Sequence, residues 1–209
     1  KRWTKSYKKE IYESRINSTR LLMDNILATH QHPKIFISAS GMAIYGDRPG
    51  ELLTEESPIS NSGYLPKLCN DWEAETKKLP SEIRSLTMRT SLVLANMDGI
   101  YAKSILPAKL GFAPIMGSGD QIYSWIHIDD LVRAIHFILE TPSINGAVNI
   151  GSGHAVSQYS FANKMARSFR KWAIPLPMPT FLLKLIVGEL AGSMLESIQL
   201  KPQKLINAG

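Results

Sequence analysis

A short apolar run that ends in a turn rich in hydroxyl groups, residues 35–47, constrains the fold most strongly. Its first three residues are β-branched or aromatic, which predicts a strand buried on both faces that ends in a loop. In an open parallel sheet, ligands collect beyond the carboxyl ends of the strands. Ser38, Ser40 and Tyr45 stand at that end and form a candidate site, but the alternative is that they only hydrogen-bond the turn backbone.

The composition is typical of a globular chain with a buried core. Hydrophobic residues make up 44% and charged residues 20% of 209 residues, which predicts one large domain, or one domain with an appendage. A single cysteine, Cys69, excludes an internal disulfide and fits a cytoplasmic location. No apolar h-region follows the basic N-terminus, so we expect no signal peptide. Residues 181–188 are too few to span a bilayer and include Lys184, so we expect no membrane partner.

The net charge of +6 is unevenly placed. Basic residues concentrate in residues 1–10 and 160–209, around an acidic middle. Such ends favour phosphate-bearing ligands or nucleic acid, and the alternative is a solvated helix surface. Because no aromatics interleave with the basic residues and no binding module is recognisable, a nucleic-acid partner is not expected.

Strand patterns alternate with helical patterns along the chain, which predicts an α/β fold with a mainly parallel sheet. Residues 1–174 form the expected main domain. Prolines 175, 177 and 179 predict a rigid linker, and residues 175–209 a helical C-terminal appendage. The predicted strands cover residues 35–37, 86–94, 122–128 and 147–150. The predicted helices cover residues 4–30, 64–78, 100–110 (interrupted at Pro107), 131–140 and 157–172. A turn is predicted at Asp98 and Gly99.

Motifs of several common sites are absent from the sequence. His30 and His32 lie too close to Pro33 to share a helical face, and Cys69 has no partner at ligand spacing, so no metal site is predicted. There is no nucleophile elbow and no Walker A loop.

Taken together, the segments resemble a known superfamily. Residues 38–47, 86–94, 117–135 and 148–153 are similar, in this order, to landmarks of the extended short-chain dehydrogenases/reductases. Three further segments resemble the atypical subgroup of epimerase family, or nucleoside-diphosphate-sugar epimerase-like, proteins: residues 1–22, 69–75 and 177–209. The resemblance implies a Rossmann-like fold that binds NAD(P), a smaller substrate-side region, and a small-molecule substrate of which a nucleotide sugar is one candidate.

The resemblance also implies catalytic residues. Active members use a Tyr and a Lys four residues apart on a helix, an upstream Ser and an Asn; a Lys near the Tyr favours phenolate. This chain has Ser40 at the Ser position, Arg15 at the Asn position, Leu65 at the Tyr position and Cys69 at the Lys position. The Arg and Cys replacements are typical of the atypical subgroup.

A displaced catalytic pair is the alternative that the sequence leaves open. Tyr64 and Lys67 are three residues apart, which makes them neighbours on a helix, although a slip of one residue turns a side chain by roughly 100°. The candidate catalytic residues are therefore Ser40, Tyr64, Lys67 and Cys69. The candidates on the cofactor side are Arg15, Ser38 and Arg89, and those on the substrate side are Tyr45, Trp125, His127 and Asp129.

Residues 125–130 have two interpretations. Alternation puts Trp125 and His127 on one side of the strand. In one interpretation Asp129 or Asp130 caps the following helix and His127 hydrogen-bonds nearby backbone. In the other, Asp129 belongs to the site.

The family's glycine-rich G-x-x-G-x-x-G loop and its first β-α units should precede Lys1, so the sequence looks like the C-terminal two-thirds of such a protein. We therefore expect weak or absent cofactor binding by these residues alone, and self-association through an uncovered sheet edge. The leading hypothesis is an NAD(P)-dependent oxidoreductase or epimerase. The alternatives are a non-catalytic nucleotide sensor or partner-binding protein and, more weakly, RNA binding through the basic ends.

Overall fold

The computed structural model describes residues 2–95 and 99–209, with the backbone alone for residues 99–103. The predicted turn at Asp98 therefore lies outside the described residues. The helices are α1 (Lys5–Ala28), α2 (Tyr64–Thr76), α3 (Gly99–Lys109), α4 (Ile128–Glu140), α5 (Gln158–Phe169), α6 (Thr180–Val187), α7 (Leu190–Met194) and α8 (Gln203–Ala208). The strands are β1 (Ile35–Gly41), β2 (Leu52–Leu53), β3 (Arg84–Thr90), β4 (Leu92–Leu94), β5 (Phe112–Met116), β6 (Ile122–Tyr123), β7 (Trp125–His127), β8 (Gly146–Ile150), β9 (Val156–Ser157), β10 (Ile174–Met178) and β11 (Gln199–Leu200).

The central sheet has three parallel strands in the order β1-β3-β8. This arrangement confirms the predicted α/β class, and the helical C-terminal part is also present. Helices α1 and α2 pack against each other, and α2 also contacts β1 and β3. A short 3-10 helix, Met42–Tyr45, follows β1. It ends at Gly46, whose φ of 67° favours glycine and lets the chain turn away from the strand.

Two predicted strands are each divided in the structure. The strand predicted over residues 86–94 breaks at Ser91, because its N–H donates to Ile150 of β8 while that of Leu92 donates to Ser124. The strand predicted over residues 122–128 breaks at Ser124, whose hydroxyl donates to the carbonyl of Ile198 and accepts from the N–H of Leu200. The chain thus changes partners at both serines. Helix α3 runs through Pro107 rather than breaking there.

The predicted proline linker forms strand β10, which pairs in parallel with β5. Pro175 and Pro177 are two residues apart in this strand, so the positions where they lack an N–H group lie on the same edge of it. An edge strand tolerates this because that edge has no strand partner. The end of the chain is built into the core: β11 pairs with β2, and Ile198 and Leu200 pack with Leu53. The domain boundary between residues 174 and 175 stays a prediction.

The sheet and α4 enclose the apolar core. Helix α4 covers the sheet through Ile138, and Ile126 of β7 joins the same cluster. Both side chains are at most 3% exposed, whereas Val132 on the outer face of α4 is 47% exposed, which is the expected amphipathic pattern. Within residues 2–95 and 99–209, no helix has the length and apolar character needed to cross a membrane.

Candidate functional site

Three polar residues stand side by side at the carboxyl end of the central sheet. The register pairs Ser40 of β1 with Arg89 of β3, and Arg89 with Asn149 of β8. All three side chains are buried. Ser40 thus lies at the sheet end where ligands collect in open parallel sheets, and its role in a site stays a prediction.

A buried ion pair connects this end of the sheet to α2. The Arg89 guanidinium donates through Nε and Nη2 to the two carboxylate oxygens of Glu73, each at 2.9 Å. Ser40 Oγ donates to Glu73 Oε1 at 2.8 Å. Burial, the largest single effect, would lower the pKa of Arg89, but its hydrogen bonds and electrostatic interactions with Glu73 and Tyr45 together outweigh burial and leave the pKa raised. The arginine is therefore charged, and its planar fork is occupied by one carboxylate.

Tyr45 extends the network to Asn149. Its hydroxyl lies 2.7 Å from Asn149 Oδ1 and accepts from Arg89 Nη1 at 3.0 Å. The ring packs 5.2 Å from the guanidinium carbon. Burial raises the pKa of Tyr45, which is 0% exposed. The substrate-side role predicted for Tyr45 stays a prediction; the structure places its hydroxyl among protein groups.

Cys69 lies beside Ser40 at the start of this network. A Cβ added at Gly41 would sit 3.7 Å from its sulfur, which shows how closely β1 passes α2 here. Burial raises the pKa of the thiol to about 11, and the Gly41 backbone only partly opposes that effect. The thiol is therefore neutral near pH 7 and does not reproduce the positive charge of the Lys whose position it occupies.

Tyr64 and Lys67 are both on α2, and each has its own partner. The Tyr64 hydroxyl donates to the carbonyl of Lys8 at 2.6 Å. Lys67 Nζ donates to Asp71 Oδ2 at 2.6 Å, and the hydroxyl of Tyr12 donates to the same oxygen. Desolvation raises the pKa of Tyr64. The predicted catalytic pair stays a prediction, because the structure shows each group engaged with other residues.

Leu65, at the position of the family Tyr, lines a cavity of about 270 Å³. This cavity, named the sheet-end cavity here, lies where β1 and β3 end, between Gly41 and Thr90. On its far side is the segment around α7, which contributes Glu196. Burial raises the pKa of Glu196, and the nearby charge of Asp47 adds to this effect. The cavity thus combines an apolar side chain, Leu65, with a carboxyl group, that of Glu196.

The two remaining cofactor-side candidates differ in exposure. Arg15 of α1 is exposed, with its guanidinium carbon 5.8 Å from the ring centre of Trp72. Ser38 of β1 is buried, and its hydroxyl donates to the carbonyl of Ala39 at 3.2 Å. Their contacts with a cofactor stay predictions, since these hydrogen bonds and ring contacts are all within the protein.

The remaining substrate-side candidates lie at the start of α4. His127 caps this helix, because Nδ1 accepts from the N–H of Asp129 at 3.2 Å. The capping group is thus the histidine rather than an aspartate, and His127 does hydrogen-bond nearby backbone as one interpretation had it. Asp129 and Asp130 both lie in the first turn, where their charge suits the helix dipole. Trp125 lies two residues before His127 in β7 and pairs with Leu92 of β4.

Sequence reasoning missed Glu73, Asn149 and Glu196. A partner for Arg89 could have been sought, because an arginine inside an apolar strand needs one when buried. Nothing in the local sequence distinguishes Glu73 from Asp71 and Glu75, the other acids of α2. Glu196 becomes part of the site only through the return of the C-terminal segment. No group of three or more His, Cys, Asp or Glu residues is arranged to hold a metal ion anywhere in the described part of the chain.

Comparison with known proteins places this geometry in a family. Residues 1–151 match the model described as the NAD dependent epimerase/dehydratase family. Epimerase family protein SH2119 of Staphylococcus haemolyticus is 35% identical over 98% of this chain and 69% of its own length. Epimerase family protein SDR39U1 of the mouse is 28% identical over the whole chain and 71% of its own length.

Solved structures agree with the sequence matches. The crystal structure of human epimerase family protein SDR39U1 (isoform 2) with NADPH superposes with a TM-score of 0.94 at 27% identity, over 100% of this chain and 71% of that protein. UDP-glucose 4-epimerase of Thermotoga maritima shares the fold, with a TM-score of 0.75 at 19% identity over 96% of this chain and 64% of that one. The chain therefore belongs to the NAD dependent epimerase/dehydratase family and has the Rossmann-like fold of the extended short-chain dehydrogenases/reductases.

Proposed function

We propose that this chain acts in an NADP(H)-dependent oxidoreductase or epimerase that works on a small carbonyl or hydroxyl compound. The observation that carries the proposal is the superposition of the entire chain on a relative that was crystallised with NADPH. The cofactor is proposed at the carboxyl end of β1 and β3, where Ser40 lies next to the sheet-end cavity. When bound, the nicotinamide would supply or accept the hydride.

The residues present fit the nicotinamide end of a dinucleotide better than its phosphates. Gly41 at the end of β1 leaves room for close approach, and the wall formed by Leu65 is apolar, which excludes water from a reacting centre. The 209 residues contain no G-x-x-G-x-x-G sequence to hold the phosphates at a helix N-terminus. We therefore propose weak NADP(H) binding by these residues alone.

Ser40 is the proposed orienting residue. Its hydroxyl donates a hydrogen bond to Glu73, and the hydroxyl oxygen has lone pairs that can accept from a substrate hydroxyl. Rotation of the hydroxyl towards a substrate carbonyl would leave Glu73 with its two bonds from Arg89. Tyr64, Lys67 and Cys69 stay proposed catalytic residues, of which the neutral thiol of Cys69 is suited only to donate a hydrogen bond.

A second candidate function is a non-catalytic nucleotide sensor or partner-binding protein. Leu65 and Cys69 favour it, since neither side chain can replace the phenol and ammonium of active relatives. A nucleotide sugar remains the substrate class that the family resemblance implies. A cytoplasmic location is proposed from the single reduced cysteine, and self-association is proposed below on separate observations.

Turnover distinguishes the two functions. Oxidation of NADPH would be followed by absorbance with a panel of carbonyl compounds and nucleotide sugars, using wild type, Ser40→Ala and Ser81→Ala. Ser81 is an exposed serine in the turn before β3, at the opposite end of that strand from the site, so it is the matched control. An oxidoreductase predicts turnover that falls at least about tenfold in Ser40→Ala alone, as removal of a positioned hydrogen-bonding group does. NADPH binding without turnover of any compound would favour the sensor.

A further inference from the structure

Two cavities meet on the substrate side of the site. The sheet-end cavity adjoins a second cavity of about 330 Å³, named the methionine cavity here, which lies between α5, α6 and the C-terminal half of α3. Tyr123 and Met194 line both cavities, so the two cavities share this part of their walls. The methionine cavity by itself lies within the size range of small-molecule sites.

The walls of the methionine cavity are apolar and adaptable. Four methionines line it together with aliphatic and aromatic side chains. Methionine is unbranched and polarisable, so it adapts to ligands of irregular apolar shape. The four are Met116, Met165, Met178 and Met194.

The polar groups in this wall are already occupied within the protein. Gln158 donates from Nε2 to the carbonyl of Pro114 at 2.8 Å, and its Oε1 accepts from the N–H of Met116 at 3.1 Å. The hydroxyl of Tyr123 donates to the carbonyl of Met194 at 2.9 Å. A sugar with several hydroxyls would therefore enter this space largely without hydrogen-bond partners, which costs free energy for each group.

Charge argues in the same direction. Among the described residues, no Lys or Arg lines either cavity, and the one carboxyl group is that of Glu196. Diphosphates are bound by arginine, lysine or helix N-termini, and a carboxyl group, protonated or not, offers a diphosphate no positive charge. An uncharged ligand meets no such penalty.

Glu196 offers one polar contact to such a ligand. Glu196 is partly buried and lines the sheet-end cavity together with Leu190 and Ile198. Burial, together with Asp47, raises its pKa and so favours the protonated form, which can donate a hydrogen bond. In the same wall, Ser91 has a hydroxyl that is fully buried and has no hydrogen-bond partner in the structure.

We propose that the substrate is an uncharged, largely apolar carbonyl compound, with its oxygen at Glu196 and its apolar body in the methionine cavity. This inference rests on the proposed oxidoreductase function and replaces the nucleotide sugar as its substrate class. In the reduction, hydride from NADPH would add to the carbonyl carbon and the Glu196 carboxyl would give its proton to the oxygen. The products are the alcohol, NADP⁺ and the Glu196 carboxylate, which regains a proton from water.

Calorimetric titration with 2-nonanone and with UDP-glucose, each with and without NADP⁺, tests the substrate class. The proposal expects saturable binding of the ketone and none of UDP-glucose. Binding of UDP-glucose, alone or beside the ketone, would overturn it, and so would no ketone binding up to the solubility limit. NADP⁺ binding is measured in the same samples: its absence contradicts the proposed function, whereas its presence without ketone binding contradicts the substrate class alone.

Variants locate the ligand. Glu196→Gln keeps a hydrogen-bond donor of the same size, so the Kd of the ketone should change by no more than about twofold. Glu196→Leu removes the donor and should raise the Kd about fivefold to tenfold, the effect of one hydrogen bond. Met194→Asp, in the wall shared by the cavities, should abolish ketone binding, and Leu139→Asp on the outer face of α4 is its control. Ketone binding that is equal in Glu196→Leu and wild type would contradict the place assigned to Glu196, even if Met194→Asp fails to fold.

Discussion

Arg89 is held by Glu73 through two parallel hydrogen bonds of 2.9 Å, and both side chains are buried at the carboxyl end of the sheet. Their exposed side-chain fractions are 8% and 4%. The pair joins β3 to α2 directly beside Ser40, which shares the carboxylate. Arg89, expected on the cofactor side, is thus the centre of a network that fixes the position of Ser40.

Breaking this pair should be strongly destabilising. Glu73→Gln or Arg89→Met leaves a buried charge without its partner, and the expected loss is about 3–5 kcal/mol of unfolding free energy. The double variant should lose less than the sum, which a double-mutant cycle by chemical denaturation measures. The exposed pair of Lys67 and Asp71 is the control, with Lys67→Ala costing at most about 1 kcal/mol. Additive effects in the buried pair would show that the two groups do not stabilise each other.

Cys69 should make stability depend on alkaline pH. Its pKa is raised from 9.0 to about 11, so the folded state favours the protonated thiol. The associated stabilisation is fully present below pH 9.0 and is lost as the pH rises through about 11. The total loss in the free energy of unfolding is roughly 3 kcal/mol. Comparing the pH profiles of wild type and Cys69→Ala isolates this effect, since other groups titrate in both. Stability profiles of the two proteins that run parallel from pH 8 to 11 would contradict this prediction. A second expected result is slow alkylation of the thiol in the folded protein.

The start of α4 should respond to the loss of His127. His127→Ala removes the N-cap acceptor and should cost about 1 kcal/mol. Asp129→Ala removes only a favourable charge in the first turn, worth about 0.3–1 kcal/mol. If Asp129 instead belongs to the site, its variant should melt almost normally and lose turnover. Thermal melts and activity measured on the same two variants decide between these roles, and no change in either property refutes both.

We propose self-association through β1 and exposed leucines of α1. Among the described residues β1 pairs with β3 alone, which leaves its other edge without a strand partner. Leu21 and Leu27 of α1 are 66% and 45% exposed. Exposed edges and apolar patches favour pairing with another copy. Light scattering should show concentration-dependent mass that Leu21→Lys reduces; a stable monomer at micromolar concentration would argue strongly against it.

Local patterns sufficed to predict β1 and α1. The apolar run at residues 35–37 predicts β1. Ligands bind at the carboxyl ends of the strands in any open parallel sheet, which is where the hydroxyl groups after this run lie. The long helix α1 follows from the absence of Pro and Gly between Thr4 and Ala28, and Thr4 caps it as expected for that residue type.

Long-range contacts set the features that sequence reasoning did not reach. Ser91 and Ser124 end two strands only because the chain changes hydrogen-bond partners there. Glu73 acquires its role from Arg89, which is 16 residues away, and Glu196 from a C-terminal segment that packs against the 3-10 helix after β1. Periodicity and capping rules describe neighbours along the chain, so none of them contains these pairings.

The most direct test of the central proposal is a titration of the ¹⁵N-labelled chain with NADPH, followed by amide chemical shifts. A cofactor site at the sheet end predicts saturable shifts at residues 38–41 and 90–92, with weaker affinity than the NADPH-bound human relative shows under the same conditions. The shifts should persist in Ser81→Ala and shrink in Ser40→Ala. No saturable shift in these residues up to millimolar NADPH, or shifts confined to other surfaces, would contradict the proposed cofactor site.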